Sequence, residues 1–193
     1  LQSNGRFPQK PLGRIARWLI HKSIEELKKL ELVIADSQST KNDFVNSAGG
    51  DIDKIMVVYP AVSTCMSKGT VSKVNTQWTD RRHSKTAFIL HVGNNSFYKN
   101  RAGVLRVFSR IRKKFDVELK MAGQPPGPEL ISLIRELGLT RYVHFMVNPE
   151  DDQIVELYHK AVLLLFPSIY EGFGWPPLEA MSCGCPVVCS TAG

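Results

Sequence analysis

The sequence predicts an α/β protein: one nearly complete doubly wound domain, preceded by the tail of a second α/β domain. Two observations lead there. From Lys85 onward, short apolar runs alternate with amphipathic helical patterns, the order expected of right-handed βαβ units. Several of those runs lack the strict alternation of a half-exposed strand, as do parallel strands covered on both faces. The part before residue 62 shows a shorter version of the same order.

The strands are expected at 87–92, 117–122, 142–145, 161–166 and 186–189. Between the first two, Val104, Leu105, Phe108 and Ile111 share one helical face, and Arg106, Arg110, Arg112 and Lys113 point elsewhere, as on a solvated face. A second helix opens at Pro128-Glu129, buries Leu130, Ile131, Leu133, Ile134 and Leu137, and ends at Gly138. A third opens at Asn148-Pro149-Glu150-Asp151, read as N-cap, first position and acidic first turn, and carries Ile154, Val155, Leu157 and Tyr158. Upstream, Arg17 to Lys29 and Ser39 to Ala48 read as helices, Leu32 to Ala35 and Ile55 to Tyr59 as strands. Residues 1–62 are therefore assigned to the C-terminal part of one α/β domain, the polar stretch 63–85 to a linker, and 86–193 to the second domain. Both ends read as cuts through a longer chain.

Composition bounds the function. Hydrophobic residues make up 43% and charged residues 22%, which is ordinary for a globular domain. No apolar run reaches the roughly 18 residues of a membrane span. The net charge of +7 suits anionic partners without choosing among them. Cys65, Cys183, Cys185 and Cys189 form no Cys-x-x-Cys pair; they read as reduced, mostly buried thiols of a cytoplasmic protein.

The segment richest in chemistry runs from Pro167 to Pro186: Pro-Ser-Ile-Tyr-Glu-Gly-Phe-Gly-Trp-Pro-Pro-Leu-Glu-Ala-Met-Ser-Cys-Gly-Cys-Pro. It follows an apolar strand, places Gly172 and Gly174 around Phe173, and then opens a helix with two prolines. In an open α/β sheet, ligands bind beyond the carboxyl ends of the strands. A glycine turn at a helix N-terminus offers free N–H groups and partial positive charge to an anion. Glu171 and Glu179 bracket that turn, Glu171 before the helix and Glu179 in about its first turn.

The pattern Glu-x7-Glu within this stretch resembles the signature of retaining GT-B glycosyltransferases of the large family 4 group. The resemblance implies two Rossmann-like domains and transfer of a sugar from a nucleotide-diphosphate donor. It implies that Glu171 approaches the transferred sugar's hydroxyls, that Phe173 and Gly174 bring backbone N–H groups to sugar or phosphate, that Gly172 belongs to the same donor-binding turn, and that Glu179 accepts from the ribose hydroxyls. His91-Val92-Gly93-Asn94-Asn95-Ser96-Phe97-Tyr98-Lys99-Asn100-Arg101 resembles the element that opens the family's second domain. There Gly93 lets the backbone approach the diphosphate, and Lys99 neutralises it as it leaves. Many members have Arg directly after the glycine where this chain has Asn94, so the second positive charge falls to Arg101 or to a residue outside the pattern. Met121-Ala122-Gly123, and Tyr142 to Val147 as a nucleobase-holding strand and loop, are similar to further family elements. Ala35 to Thr40 and Val57 to Val62 resemble the last strand regions of the first domain.

The resemblance therefore implies a hexosyltransferase, with mannosyl or glucosyl transfer suggested by Phe173-Gly174-Trp175-Pro176-Pro177. The acceptor is a glycan, lipid-linked glycan or other hydroxyl; no nucleic acid is involved. No metal or other cofactor is expected, because the positive groups take a metal's place. A nucleotide-sugar binding module without turnover, or another GT-B enzyme such as a nucleotide-sugar epimerase, stays open as an alternative. Asp51-Ile52-Asp53 is read as a surface turn rather than a metal motif. His91 and His144 are read as packed core histidines. The basic, amphipathic Arg14 to Lys29 segment is read as a domain-packing helix that could also touch anionic lipid at the inner membrane face.

Overall fold

A computed structural model describes residues 11–62 and 87–191. The expected linker 63–85, and with it Cys65 and His83, lies outside the described residues. The chain divides into two compact units, Leu1–Ala61 and Val62–Gly193.

The first unit contains helix α1 (Pro11–Leu27), strand β1 (Val33–Ala35), helix α2 (Gln38–Ala48) and strand β2 (Ile55–Val57). β1 and β2 pair in parallel from Val33↔Ile55 to Ala35↔Val57, so α2 is a βαβ crossover. Its start is set by Ser37, whose side chain accepts from the Thr40 N–H at 3.0 Å, and its end by Gly49 in the left-handed region at φ 67°. Trp18, Leu19 and Ile20 on α1 are exposed. Asp51 and Asp53 form a turn of their own, the Asp51 carboxylate accepting from the Asp53 N–H at 3.1 Å.

The second unit holds β3 (Phe88–Val92), α3 (Arg101–Arg112), β4 (Glu118–Gly123), α4 (Pro128–Glu136), β5 (Val143–Val147), α5 (Asp151–Lys160), β6 (Leu163–Phe166), α6 (Trp175–Ser182) and β7 (Val187–Cys189). All pairings are parallel, in the order β5-β4-β3-β6-β7. The period of two along β3 explains the layers. Phe88 and Leu90 face a cluster built with Ile154, Leu157 and Tyr158 of α5 and Ala180 of α6. Ile89 faces the other way, with Val104, Leu105 and Phe108 of α3 and Ile134 of α4. A sheet buried on both faces needs apolar residues at every position, which is why these strands show no clean alternation. Leu130, Ile131, Leu133 and Leu137 pack against the second cluster but remain partly exposed.

Three local readings are corrected. Asn148 does not cap α5: its N–H extends the ladder to the Gly123 carbonyl at 2.8 Å, and its φ is 46°. The cap is Glu150, whose N–H donates to the Gln153 side chain at 3.0 Å. His144 is not in the core. β5 is an edge strand, and the His144 face stays open, with Nε2 3.3 Å from Glu118 Oε2. Glu179 is not in the first turn of α6 but is the fifth of its eight residues, because the helix starts at Trp175.

Candidate functional site

The strand order reverses between β3 and β6, the switch point at which a doubly wound sheet opens its crevice. β3 stays paired with β4 as far as Val92↔Ala122, but its register with β6 ends at Leu90↔Leu164. The Gly93 N–H then donates to Ala122 O at 3.0 Å. Leu165 O is served instead by a side chain, His91 Nδ1 at 3.0 Å. A carbonyl only accepts, so Nδ1 carries the proton and Nε2 is the bare nitrogen. Nε2 is buried without a hydrogen-bond partner among the described residues. Burial pushes the imidazole down to about 4, with the charges of Arg101 and Lys99 acting the same way and the Leu165 hydrogen bond opposing them. The reading of His91 as a packed histidine holds, and its bridging of β3 and β6 is what sequence could not show.

Two loops diverge from this point, 93–100 after β3 and 167–174 after β6. They are tied together three times. Asn100, left-handed at φ 51°, caps α3 by accepting from the Gly103 N–H at 3.1 Å and donates to Pro167 O at 2.9 Å. The Ile169 N–H donates to Tyr98 O at 2.8 Å. Lys99 Nζ lies 2.8 Å from Glu171 Oε1 and 3.1 Å from Oε2, with the two side chains only 13% and 14% exposed. The ammonium also lies 5.0 Å from the centre of the Phe166 ring and 5.3 Å from that of Tyr98.

The other expected residues fall around this pair in different ways. Gly93 is closely packed: a Cβ there would stand 3.1 Å from His91 Nε2, tighter than an ordinary contact, and 3.5 Å from the Lys99 stem. Gly174 sits at φ 87° as the N-cap of α6, and Pro176 and Pro177 in the first turn have no N–H. Phe173 stacks edge-on against Trp175, ring centres 5.3 Å apart. Asn94 is exposed and accepts from the Ser96 N–H at 3.0 Å, closing a local turn. Arg101 is buried; it donates to Asn95 Oδ1 and, at 3.1 Å, to Gln124 O, with its guanidinium 5.6 Å from the Phe145 ring centre. Its bonds therefore hold the 93–100 loop to the loop after β4. Val147 ends β5, exposed and in register with Gly123.

Glu179 meets a residue the sequence reading placed only on a helix face. Tyr158 of α5, fully buried, donates its hydroxyl to Glu179 Oε2 at 3.0 Å. Asn100 was likewise missed, although an Asn before a helix is a recognisable capping signal. Cys183 and Cys185 are buried thiols and Cys189 an exposed one.

A five-stranded parallel sheet with its crevice built this way has the fold of the donor half of GT-B glycosyltransferases. Anabaena HepE in complex with UDP superposes with a TM-score of 0.72 at 25% identity, over 90% of this chain and 50% of that one. The sequence model described as "Glycosyl transferases group 1" matches residues 75–193, and the chain belongs to that family. An uncharacterised glycosyltransferase of Methanocaldococcus jannaschii is 28% identical over 165 residues, 83% of this chain and 42% of its own length. The MMP alpha-(1->4)-mannosyltransferase of Mycolicibacterium hassiacum is 39% identical over 92 residues, 47% of this chain and 22% of its own. The chain thus spans less than half the length of these relatives.

Proposed function

We propose that this chain is the donor-binding half of a retaining glycosyltransferase that moves a hexose, mannosyl or glucosyl, from a nucleotide-diphosphate sugar to a hydroxyl acceptor on a glycan or lipid-linked glycan. The observation that carries the reading is the Lys99–Glu171 pair, set at the switch point of the sheet beside the N-terminus of α6. The similarity to a mannosyltransferase and to a structure that binds UDP supports it.

In this reading the diphosphate lies over Gly93, where the missing side chain admits it, and between Lys99 and the α6 N-terminus. As the anomeric C–O bond breaks, negative charge grows on the leaving diphosphate and positive charge on the sugar. Lys99 stabilises the first; a unit charge about 4 Å away is worth roughly 4 kcal/mol at an effective dielectric near 20. In the same reading Glu171 accepts from hydroxyls of the transferred sugar while it orients Lys99. Glu179 holds the ribose. Lys99 supplies the positive charge that a metal supplies in other transferases, so turnover should persist in a chelator.

Titration of the chain with UDP, GDP and ADP, and with their mannose and glucose conjugates, tests this reading. One nucleoside diphosphate should bind, and at 100 times its Kd it should stabilise the second unit by about 2.7 kcal/mol. No stabilisation by any of them would reject the reading. In the full-length protein, free nucleoside diphosphate should appear together with a glycosylated acceptor, which an epimerase would not produce.

A further inference from the structure

Tyr158 belongs to α5, an element that carries none of the proposed donor contacts. Its ring sits in the apolar cluster with Leu90, Ile154, Leu157 and Ala180. A phenylalanine would fill that place as well, and a buried hydroxyl is unfavourable unless paired. The hydroxyl is paired in one direction only: it donates to Glu179 Oε2 at 3.0 Å, and a carboxylate can only accept. Burial, and then the negative charge of Glu179, push the phenol well above its ordinary range, so the donor proton stays on Tyr158. Glu179 Oε1 has no hydrogen-bond partner among the described residues. The carboxylate is thus anchored by one oxygen from inside the core, with lone pairs left on both.

We propose that Tyr158 is a positioning residue for nucleotide recognition: its hydroxyl fixes the Glu179 carboxylate in the orientation that accepts both vicinal hydroxyls of the ribose. The inference rests on the reading of the 171–179 segment as a donor site. An unanchored glutamate would lose side-chain freedom when the ribose binds, whereas an anchored one has already lost it on folding. Selectivity for a ribose diol then follows, because a site built around a fixed acceptor rejects a ligand that lacks the donors.

The test compares a nucleoside diphosphate with its 2′,3′-dideoxy counterpart, using whichever of UDP, GDP and ADP binds the wild-type chain most tightly. Calorimetric titrations are run on wild type, Tyr158→Phe and Glu179→Gln. Tyr158→Phe should weaken the ribose ligand by about five- to ten-fold and leave the dideoxy ligand within two-fold of wild type. Equal weakening of both ligands, or of neither, overturns the assignment. A phenylalanine variant that does not fold overturns it too, because the hydroxyl is then a requirement of the core. If wild type and Glu179→Gln bind both ligands alike, the reading of Glu179 itself has failed. If Glu179→Gln loses the ribose preference and Tyr158→Phe keeps it, only the role of Tyr158 has failed.

Discussion

Lys99 and Glu171, 72 residues apart in the chain, form an ion pair with Nζ 2.8 Å from Oε1. Neither residue is held by its own element alone. Lys99 ends a short helical turn, Phe97–Lys99, whose neighbour Asn100 is bonded to Pro167 of the opposite loop. Glu171 follows Ile169, whose N–H is bonded to Tyr98. The pair is the last of three ties across the crevice. A diphosphate bound over Gly93 would compete with Glu171 for the same ammonium.

Removing the cation should therefore act on folding as well as on chemistry. Lys99→Ala leaves a largely buried carboxylate without its cation, and breaking such a pair costs about 3–5 kcal/mol. Urea unfolding of the chain should show that loss, and Lys99→Ala combined with Glu171→Ala should recover part of it. In the full-length protein, kcat for donor turnover should fall by about two to three orders of magnitude in Lys99→Ala and be unchanged by EDTA in wild type. A near-normal kcat in the variant would remove Lys99 from the mechanism.

His91 predicts an acid limit to stability. Its folded-state value of about 4 lies below the ordinary 6.5, so the unfolded chain binds the proton more readily. The contribution is fully present above pH 6.5 and is lost as pH falls towards 4, by about 3 kcal/mol at 1.36 kcal/mol per pH unit. Urea midpoints measured from pH 7.5 to 4 should show this slope. His91→Asn should flatten that part of the curve, since an amide can donate to Leu165 O but takes up no proton in this range.

Gly123 predicts a steric limit. Its φ is 137°, and a Cβ there would stand 2.3 Å from the Gly93 carbonyl oxygen, which is backbone and cannot swing aside. Gly123→Ala must push the loop after β4 away from Gly93, at a cost of about 3 kcal/mol. It should also weaken binding of the nucleoside diphosphate. A melting temperature and an affinity equal to wild type would contradict the close approach of the two loops.

Gly103 sets helix propensity against capping. Alanine is the better helix former by about 1 kcal/mol. Yet a Cβ at Gly103 would stand 2.4 Å from Asn100 Nδ2 and 2.5 Å from its Oδ1, displacing the side chain that caps α3 and binds Pro167. A lost cap costs about 1 kcal/mol and a lost hydrogen bond about as much again. The net expectation is a destabilisation of about 1 kcal/mol by Gly103→Ala, and no added loss when Asn100→Ala is already present. Thermal or urea unfolding of the three variants decides the sign.

The periodic signals were legible without a structure. Continuous apolar runs at 87–92 and 161–166 announced strands buried on both faces, and Gly138 marked a helix end, left-handed here at φ 68°. The glycine turn between two glutamates was recognisable because its chemistry is local: consecutive residues make one loop and one helix N-terminus. His144 was misread because an apolar run does not say whether its strand lies at the centre or the edge of a sheet. Asn148 was misread because a capping residue and a ladder-extending residue can have the same neighbours in sequence.

The sequence by itself determined the alternation of strands and helices, the family, and the short stretch that carries the glycine turn. Those depend on neighbours within a turn or two, where residue type alone sets the backbone preference. Only the tertiary structure decided which side chains meet: Lys99 with Glu171, Tyr158 with Glu179, and His91 with the Leu165 carbonyl. Each contact joins residues from different strands or crossovers of the sheet. Their distance is fixed by strand order and register, quantities that no local propensity contains.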